Sequence, residues 1–441
     1  MTSTLNFTHD ARRRSWVEAA GDPTGDFPLQ NLPAGVFQPA ADSSPRPGVA
    51  IGDQILDLSA AGSAGLLPTE LIEACRQPTL NALMALGPAA WSALRQRLSE
   101  LLGADTCPAG PLRAMVADCL GPMRGATLLL PARVGDYTDF YASIHHATNV
   151  GAMFRPDSPL LPNYKWVPVG YHGRSSSLVI SGTAIRRPSG QGHPPAGSTA
   201  PTFGPSQQLD YELELAAFVG PGNALGSPLP LARAEENIFG VCLLNDWSAR
   251  DLQAWEYQPL GPFLAKNFAT SVSPWVVSLE ALAPFRTAAF VRPAGDPAPL
   301  PYLANADDQA RGGLDLTLEV LLLTPQMRAR GGPAHLVSRG NFSAMYWTLA
   351  QLLTHHASNG CNLQPGDLLG SGTVSGPEKN SRGCLLELTT RGRDPLALPG
   401  GESRAFLQDG DEVIFRGYAE GGGCVRLGLG ECRGLVLPAS A

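Results

Sequence analysis

Glycine and proline punctuate this chain so densely, at 49 and 40 of its 441 positions, that few apolar runs continue long enough to read as helices. The expected architecture is therefore mostly β within the α+β class, built from short strands joined by turns. Residues 1–60 hold only brief runs such as Val49-Ala-Ile51 and Gln54-Ile-Leu-Asp-Leu58, the signals of a small barrel or meander. Residues 69–102 differ. Trp91, Leu94, Leu98 and Leu101 recur at helical spacing behind Gly87-Pro88, which points Arg95, Arg97 and Glu100 outward. A boundary is expected near 125, dividing an N-terminal domain of residues 1–125 from a larger domain of residues 126–441. In the larger domain, strands are expected at 166–169, 177–180, 213–219, 275–279, 316–323, 385–388 and 412–416, with helices over 248–256 and 342–356. A Pro/Gly/Ser-rich loop at 187–207 is too long to be an idle connection.

Charge and cysteine usage exclude several classes. The formal charge is -7 with no basic cluster, so no nucleic-acid footprint is present. Eight cysteines occur without a CxxC pair, which argues against a zinc ribbon or disulfide framework and for buried thiols in a reducing cytoplasm. No apolar run reaches membrane-spanning length, and Arg12-Arg-Arg14 has no apolar stretch behind it to make a secretory signal.

Residues 136–155 concentrate chemistry: Asp136, Asp139, Tyr137, Tyr141, His145, His146 and Arg155 fall in one segment. Downstream, Asp210-Tyr-Glu-Leu-Glu-Leu215 alternates strictly, so that on a strand Asp210, Glu212 and Glu214 share one face. Same-face neighbours are then about 7 Å apart, close enough for one cation to bind both. A solvated edge strand would give the same pattern. Asp246 lies where an apolar strand meets a helix, and a simple N-cap would account for it. Asp139, Glu212, Glu214 and Asp246, without Cys or His at ligand spacing, would together suit a hard ion such as Mg2+ or Ca2+.

Several segments resemble the fumarylacetoacetase family of the full-length eukaryotic type. They include Gly135-Asp-Tyr-Thr-Asp-Phe-Tyr141, His146-Ala-Thr-Asn-Val-Gly151, Pro168-Val-Gly-Tyr-His-Gly-Arg-Ser-Ser176 and Asn245-Asp-Trp-Ser-Ala-Arg-Asp251. Gln253-Ala-Trp-Glu-Tyr-Gln-Pro-Leu-Gly-Pro-Phe263 is the most specific of the later ones, and Lys266-Asn-Phe-Ala-Thr270, Gly366–Glu378 and Leu385-Leu-Glu387 continue the likeness to the end. The resemblance implies an SH3-like N-terminal barrel followed by a mixed β-sandwich or β-roll catalytic domain, assembled as a homodimer. It implies hydrolytic cleavage of a carbon–carbon bond in a small diketo-diacid, 4-fumarylacetoacetate. By position, the metal ligands would be Asp139, Glu212, Glu214 and Asp246, with Lys266 and Thr270 beside the ion. His146 would be the base, oriented by Glu387. Arg250, Gln253 and Lys266 would form an oxyanion pocket, and Tyr141, Arg155, Tyr171, Tyr257 and Thr373 would join Gln253 in holding substrate.

A β-diketone needs an activated water, relief for a tetrahedral alkoxide and a sink for the leaving enolate. Those needs match the implied set. Within the same superfamily an acylpyruvate hydrolase or a diacid decarboxylase is the alternative, and a silent metabolite-binding relative is a third. Retention of His146 and Glu387 favours hydrolysis, because decarboxylation requires no activated water. Asn267, Ala269 and Lys379 depart from the family pattern without touching an implied ligand. His145, His355 and His356 read as structural.

Overall fold

The computed structural model describes residues 5–39 and 44–440. Its organising strand is Ile238–Asp246, an apolar run buried along all nine residues, the pattern of a strand covered on both faces. It lies in a mixed eight-stranded sheet ordered Gly170–Gly173, Tyr137–Phe140, Leu368–Gly370, Leu213–Val219, Ile238–Asp246, Thr270–Val272 and Leu178–Ile180, with Val277–Ser278 also pairing on the long strand. Leu213–Val219 is therefore a central strand, buried throughout, and the solvated acidic edge is excluded.

Alternation along these strands separates two cores. Leu213, Leu215, Ala217, Val241 and Leu243 pack with Leu318, Val320, Leu322, Val413 and Phe415 of a second sheet. That five-stranded sheet runs His335–Asn341, Thr317–Leu323, Glu412–Gly421, Cys424–Leu437, Ile185–Arg186. Ala216, Phe218, Cys242, Leu244 and Leu368, on the opposite face, share a core with Val36, Ile51, Leu56, Leu71 and Leu98 of the N-terminal region. The central sheet is thus the middle layer of three.

The N-terminal layer is an antiparallel sheet ordered Leu120–Pro122, Gln54–Asp57, Arg46–Ile51, Ala34–Gln38, Thr127–Leu129. Its last strand, Thr127–Leu129, pairs with Ala34–Gln38, with Val36 opposite Leu129. A bridge from Ala34 to Val276 ties this layer to the central sheet. Helix Pro88–Leu102 starts at Gly87, whose φ of +84° suits glycine, and at Pro88, whose missing N–H costs nothing there. Arg95 corrects the outward reading of its side chain: it is buried and donates to the carbonyls of Gln30 and Asn31 and to Thr8 Oγ1.

Four local expectations also change. The apolar stripe over 342–356 is split into a 3-10 turn Phe342–Ala344 and helix Leu349–Ala357, because Met345 is extended and Thr348 begins a new helix in a capping box with Gln351. Residues 385–388 form the short helix Leu385–Leu388 instead of a strand; the N–H groups of Leu385 and Leu386 are held by the Asp210 carboxylate. Residues 166–169 are turn and irregular backbone. The loop at 187–207 carries a small ladder, Ser189–Gln191 against Phe203–Pro205. The eight cysteines are free thiols, and no described helix is long and apolar enough to cross a membrane.

Candidate active site

The strand register gathers the acids. Asp139 faces Gly370 in one pairing, Ala216 faces Gly370 in the next, and Asp246 closes the long strand opposite Thr270. Glu214 and Asp246 therefore project from neighbouring strands beside Asp139. A Cβ at position 370 would lie 2.8 Å from Asp139 Oδ1 and 3.0 Å from Glu214 Oε2, so glycine lets the acids approach. One oxygen from each of Asp139, Glu214 and Asp246 lies within 4.8 Å of the others, and all three side chains are buried. Two unit charges at that distance repel by roughly 3 kcal/mol at an effective dielectric of about 20.

Only part of each carboxylate is satisfied by the protein. Asp139 Oδ2 accepts from Tyr137 Oη at 3.0 Å and Tyr171 Oη at 3.2 Å, while Tyr171 Oη also lies 2.8 Å from Asp246 Oδ2. Glu214 Oε2 accepts from the Gly372 N–H at 2.9 Å. Asp139 Oδ1, Glu214 Oε1 and Asp246 Oδ1 are buried without a hydrogen-bond partner. Burial, then repulsion from the neighbouring acids, pushes Glu214 well above its ordinary value. Asp246 and Asp139 are also raised, burial again leading, although Lys266 opposes the shift. Three clustered carboxylates, hard donors that each keep one oxygen unpaired, fit a divalent cation.

Glu212, expected as a fourth ligand, is placed differently. Its oxygens are taken by cations: Oε1 by Arg250 Nη1 at 2.8 Å and Oε2 by Lys266 Nζ at 2.6 Å. Burial opposes its charge, but Lys266 and Arg250 outweigh burial and hold its carboxyl well below the ordinary range. Lys266 also pairs closely with Asp246. Arg250, the first residue of helix Arg250–Glu256, donates from Nε to Asp210 at 2.9 Å and from Nη1 to Gln253 Oε1 at 3.2 Å. Its Nη2 is buried with no partner.

Beside this acid cluster stands a second group. Ser143 caps helix Ile144–Phe154, accepting from the His146 N–H, and this sets His146 in the first turn. Its Nδ1 lies 2.5 Å from Glu387 Oε2, and its Nε2 lies 3.9 Å from Glu212 Oε1. Glu387 Oε1 accepts from Asn149 Nδ2 at 2.8 Å; Oε2 also accepts from Ser375 Oγ at 2.8 Å and Cys384 Sγ at 3.2 Å. Burial opposes ionisation of Glu387, yet His146 and these donors hold it down at about 2. Proximity to Glu387 makes Nδ1 the protonated nitrogen and leaves Nε2 as the basic one.

Around these two groups, Tyr141 sets its ring edge-on to His146 with centroids 5.1 Å apart. Thr373 is buried with an unpartnered Oγ1. A cavity of about 190 Å³, lined by Tyr171, Arg174, Asp246, Phe263, Lys266 and Thr270 among others, opens onto the acids. Two expected substrate contacts are not brought in. Arg155 is exposed at the far end of the His146 helix, roughly 13 Å away by helical rise, where it donates to the Pro159 carbonyl. Tyr257 is 37% exposed just past its helix. His145 meets Phe290 edge-on, and His356 pairs with Thr138 Oγ1. Lys379 is exposed in the turn Lys379–Ser381.

Sequence reasoning noted Asp210 and Tyr137 without giving them a role in the site, and passed over Asn149, Ser375 and Cys384. For Asn149 a signal existed: it lies three residues after His146, on the same helical face. Tyr137 lies two residues before Asp139 on one strand face, and Cys384 three before Glu387, so signals existed there too; Asp210 and Ser375 are joined to the site by contacts that local pattern does not encode.

Comparisons with known proteins cover almost the whole chain. The model for the fumarylacetoacetate hydrolase C-terminal region matches residues 137–436, and that for the fumarylacetoacetase N-terminal region matches residues 30–131. The fumarylacetoacetase of Caenorhabditis elegans is 54% identical, spanning 94% of this chain and 97% of its own. The Homo sapiens fumarylacetoacetase is 50% identical over 96% of this chain and 99% of its own. Among solved structures, a fumarylacetoacetate hydrolase from Exiguobacterium antarcticum shares the fold with a TM-score of 0.50 at 18% identity, covering 92% of this chain and 99% of that one.

Proposed function

The chain belongs to the fumarylacetoacetase family, and from that premise we propose that it hydrolyses 4-fumarylacetoacetate to fumarate and acetoacetate, the last step of tyrosine and homogentisate breakdown. The observation that carries this reading is the His146 imidazole, held at 2.5 Å by Glu387 with its other nitrogen turned toward Glu212. In this mechanism Nε2 takes a proton from water as the oxygen adds to the substrate's carbonyl carbon. Glu387 keeps the proton on Nδ1 and offsets the imidazolium charge. Arg250 Nη2, buried and unpaired, donates to the alkoxide together with Lys266 and Gln253. Losing one such donor typically costs about 3–4 kcal/mol of barrier. As the carbon–carbon bond breaks, its electron pair leaves with the acetoacetate portion, and the proton on Nε2 is available to that carbon. A divalent ion held by Asp139, Glu214 and Asp246, with Glu212 beside it, would supply Lewis-acid stabilisation of enolate charge.

Tyr171, which lines the cavity beside the acids, Tyr141, edge-on to His146, and Thr373, with its unpartnered hydroxyl, are proposed to orient the diacid. Mg2+ or Ca2+ as the ion, a homodimer as the assembly and the cytoplasm as the compartment belong to the same proposal. The direct test incubates purified, metal-supplemented protein with fumarylacetoacetate and follows loss of its conjugated absorbance. Turnover that disappears in His146→Ala supports the reading. No turnover by the wild-type protein, or undiminished turnover by the variant, overturns it.

A further inference from the structure

Glu387 has no exposed surface and four side-chain partners, more than any other acid of the site. Two of those partners have fixed roles. The Gly383 N–H donates to Ser375 Oγ at 3.0 Å, so the serine hydroxyl is free to give its own proton to Glu387 Oε2. Asn149 Nδ2 can only donate, and it does so to the other oxygen at 2.8 Å. His146 and Asn149 lie three residues apart on helix Ile144–Phe154, so one helical face grips both oxygens of a single carboxylate. The helix is itself pinned to the serine segment, because Ser143 Oγ, its N-cap, donates to the Ser375 carbonyl at 3.0 Å.

A carboxylate gripped at one oxygen alone could rotate about its last bond and swing the imidazole with it. With both oxygens held from two elements, rotation would break at least two hydrogen bonds. We infer that Asn149 and Ser375 are positioning residues that lock Glu387, and through it the His146 ring, in the orientation that turns Nε2 toward Glu212. They touch neither substrate nor ion. This inference rests on His146 and Glu387 being the base pair proposed above.

The test is a double-mutant cycle on the metal-supplemented enzyme. Replacing Asn149 with leucine keeps much of the side-chain volume and removes the donor. Asn149→Leu is expected to lower kcat by about 10-fold to 100-fold, the usual effect of losing an outer partner of a reacting group, with KM within about twofold. In a Glu387→Gln background the same substitution should change kcat less than about twofold, since the carboxylate it orients is gone. Ser375→Ala should behave in the same way, and Ser375→Thr, which restores a hydroxyl, should recover most of the loss. The inference is overturned if the losses multiply independently in the Glu387→Gln background, or if Asn149→Leu raises KM and spares kcat. Should Asn149→Leu not fold, Asn149→Ser and the Ser375 pair carry the same cycle. A low-field proton resonance from His146 Nδ1–H that broadens or moves upfield in these variants is the independent readout; an unchanged resonance counts against the inference. Loss of wild-type activity itself would instead remove the base-pair reading, which keeps the two failures distinct.

Discussion

Glu387 and Glu214 are both glutamates with no exposed surface, yet every oxygen of the first meets a donor while one oxygen of the second meets none. The environments push the two carboxyls in opposite directions: Glu387 is held at about 2, and Glu214 is driven well above its ordinary value. One network is complete with protein atoms. The other, with Asp139 and Asp246, crowds three carboxylates together and leaves one oxygen of each without a partner. The difference separates a device for holding a base in one orientation from a device whose energy is balanced by something it binds.

The largest expected break in that comparison comes at the base. His146→Ala should lower turnover by about 100-fold to 10,000-fold, the range for loss of general acid–base catalysis, while ion binding measured calorimetrically is kept. Retained turnover would place the base elsewhere. At the acids, stripping divalent ions with a chelator should stop turnover, and adding Mg2+ or Ca2+ back should restore it. An ion present at about 100 times its Kd should also stabilise the fold by roughly 2.7 kcal/mol, read as a shift in the unfolding midpoint. Glu214→Gln should raise the midpoint of ion-free protein, by relieving repulsion, and should lose most of the ion-induced shift. If that variant is destabilised without ions and still responds to them, the acids are not the binding device.

The two networks should also respond to acid with opposite signs. The Glu387 carboxyl lies below its ordinary value of 4.5, so its stabilising contribution is complete above about pH 4.5 and lost as pH falls toward 2. Glu214 and Asp246 are raised, so in ion-free protein their cost is absent at low pH and grows as pH rises past their ordinary values. Urea midpoints of chelator-treated protein should therefore show Glu214→Gln gaining more over wild type at about pH 7 than at about pH 4, and Glu387→Gln losing more at about pH 7 than at about pH 3. Equal differences at the two pH values would erase the distinction. The smallest effect is expected from Tyr171→Phe, which removes one donor shared by Asp139 and Asp246. About 1 kcal/mol, or several-fold in ion affinity, is the expected loss, measured by titrating the ion.

How far the sequence carried the reading is clearest along residues 210–215. Alternation correctly placed Glu212 and Glu214 away from Leu213 and Leu215, but it could not say whether that face met water. Burial came from pairing with Ile238–Asp246 and Leu368–Gly370, one strand nearby and one far along the chain. Asp210 shows the opposite limit. It shares the parity of Glu212, yet the ladder breaks between them, and Asp210 turns to Arg250 and to the N–H groups of Leu385 and Leu386. That long-range contact also winds residues 385–388 into a helix despite their strand-like composition. Arg95 was read outward because charge usually faces solvent, and three acceptors from other segments outweighed that tendency. The resemblance supplied roles for individual residues that spacing alone left open, and Arg155 and Tyr257 are the two whose placement lends those roles no support.

The acid-bearing face of the central sheet is continuous with the face that Ala216, Phe218, Cys242, Leu244 and Leu368 bury against the N-terminal layer. Although two family segments meet near residue 131, they are not interchangeable modules. A fragment beginning near 137 would expose a broad apolar surface running up to three crowded carboxylates, a template for self-association. Lesions scattered through the N-terminal sheet would then register as lost ion binding and aggregation together, and a protein engineer would have to move both segments as one graft.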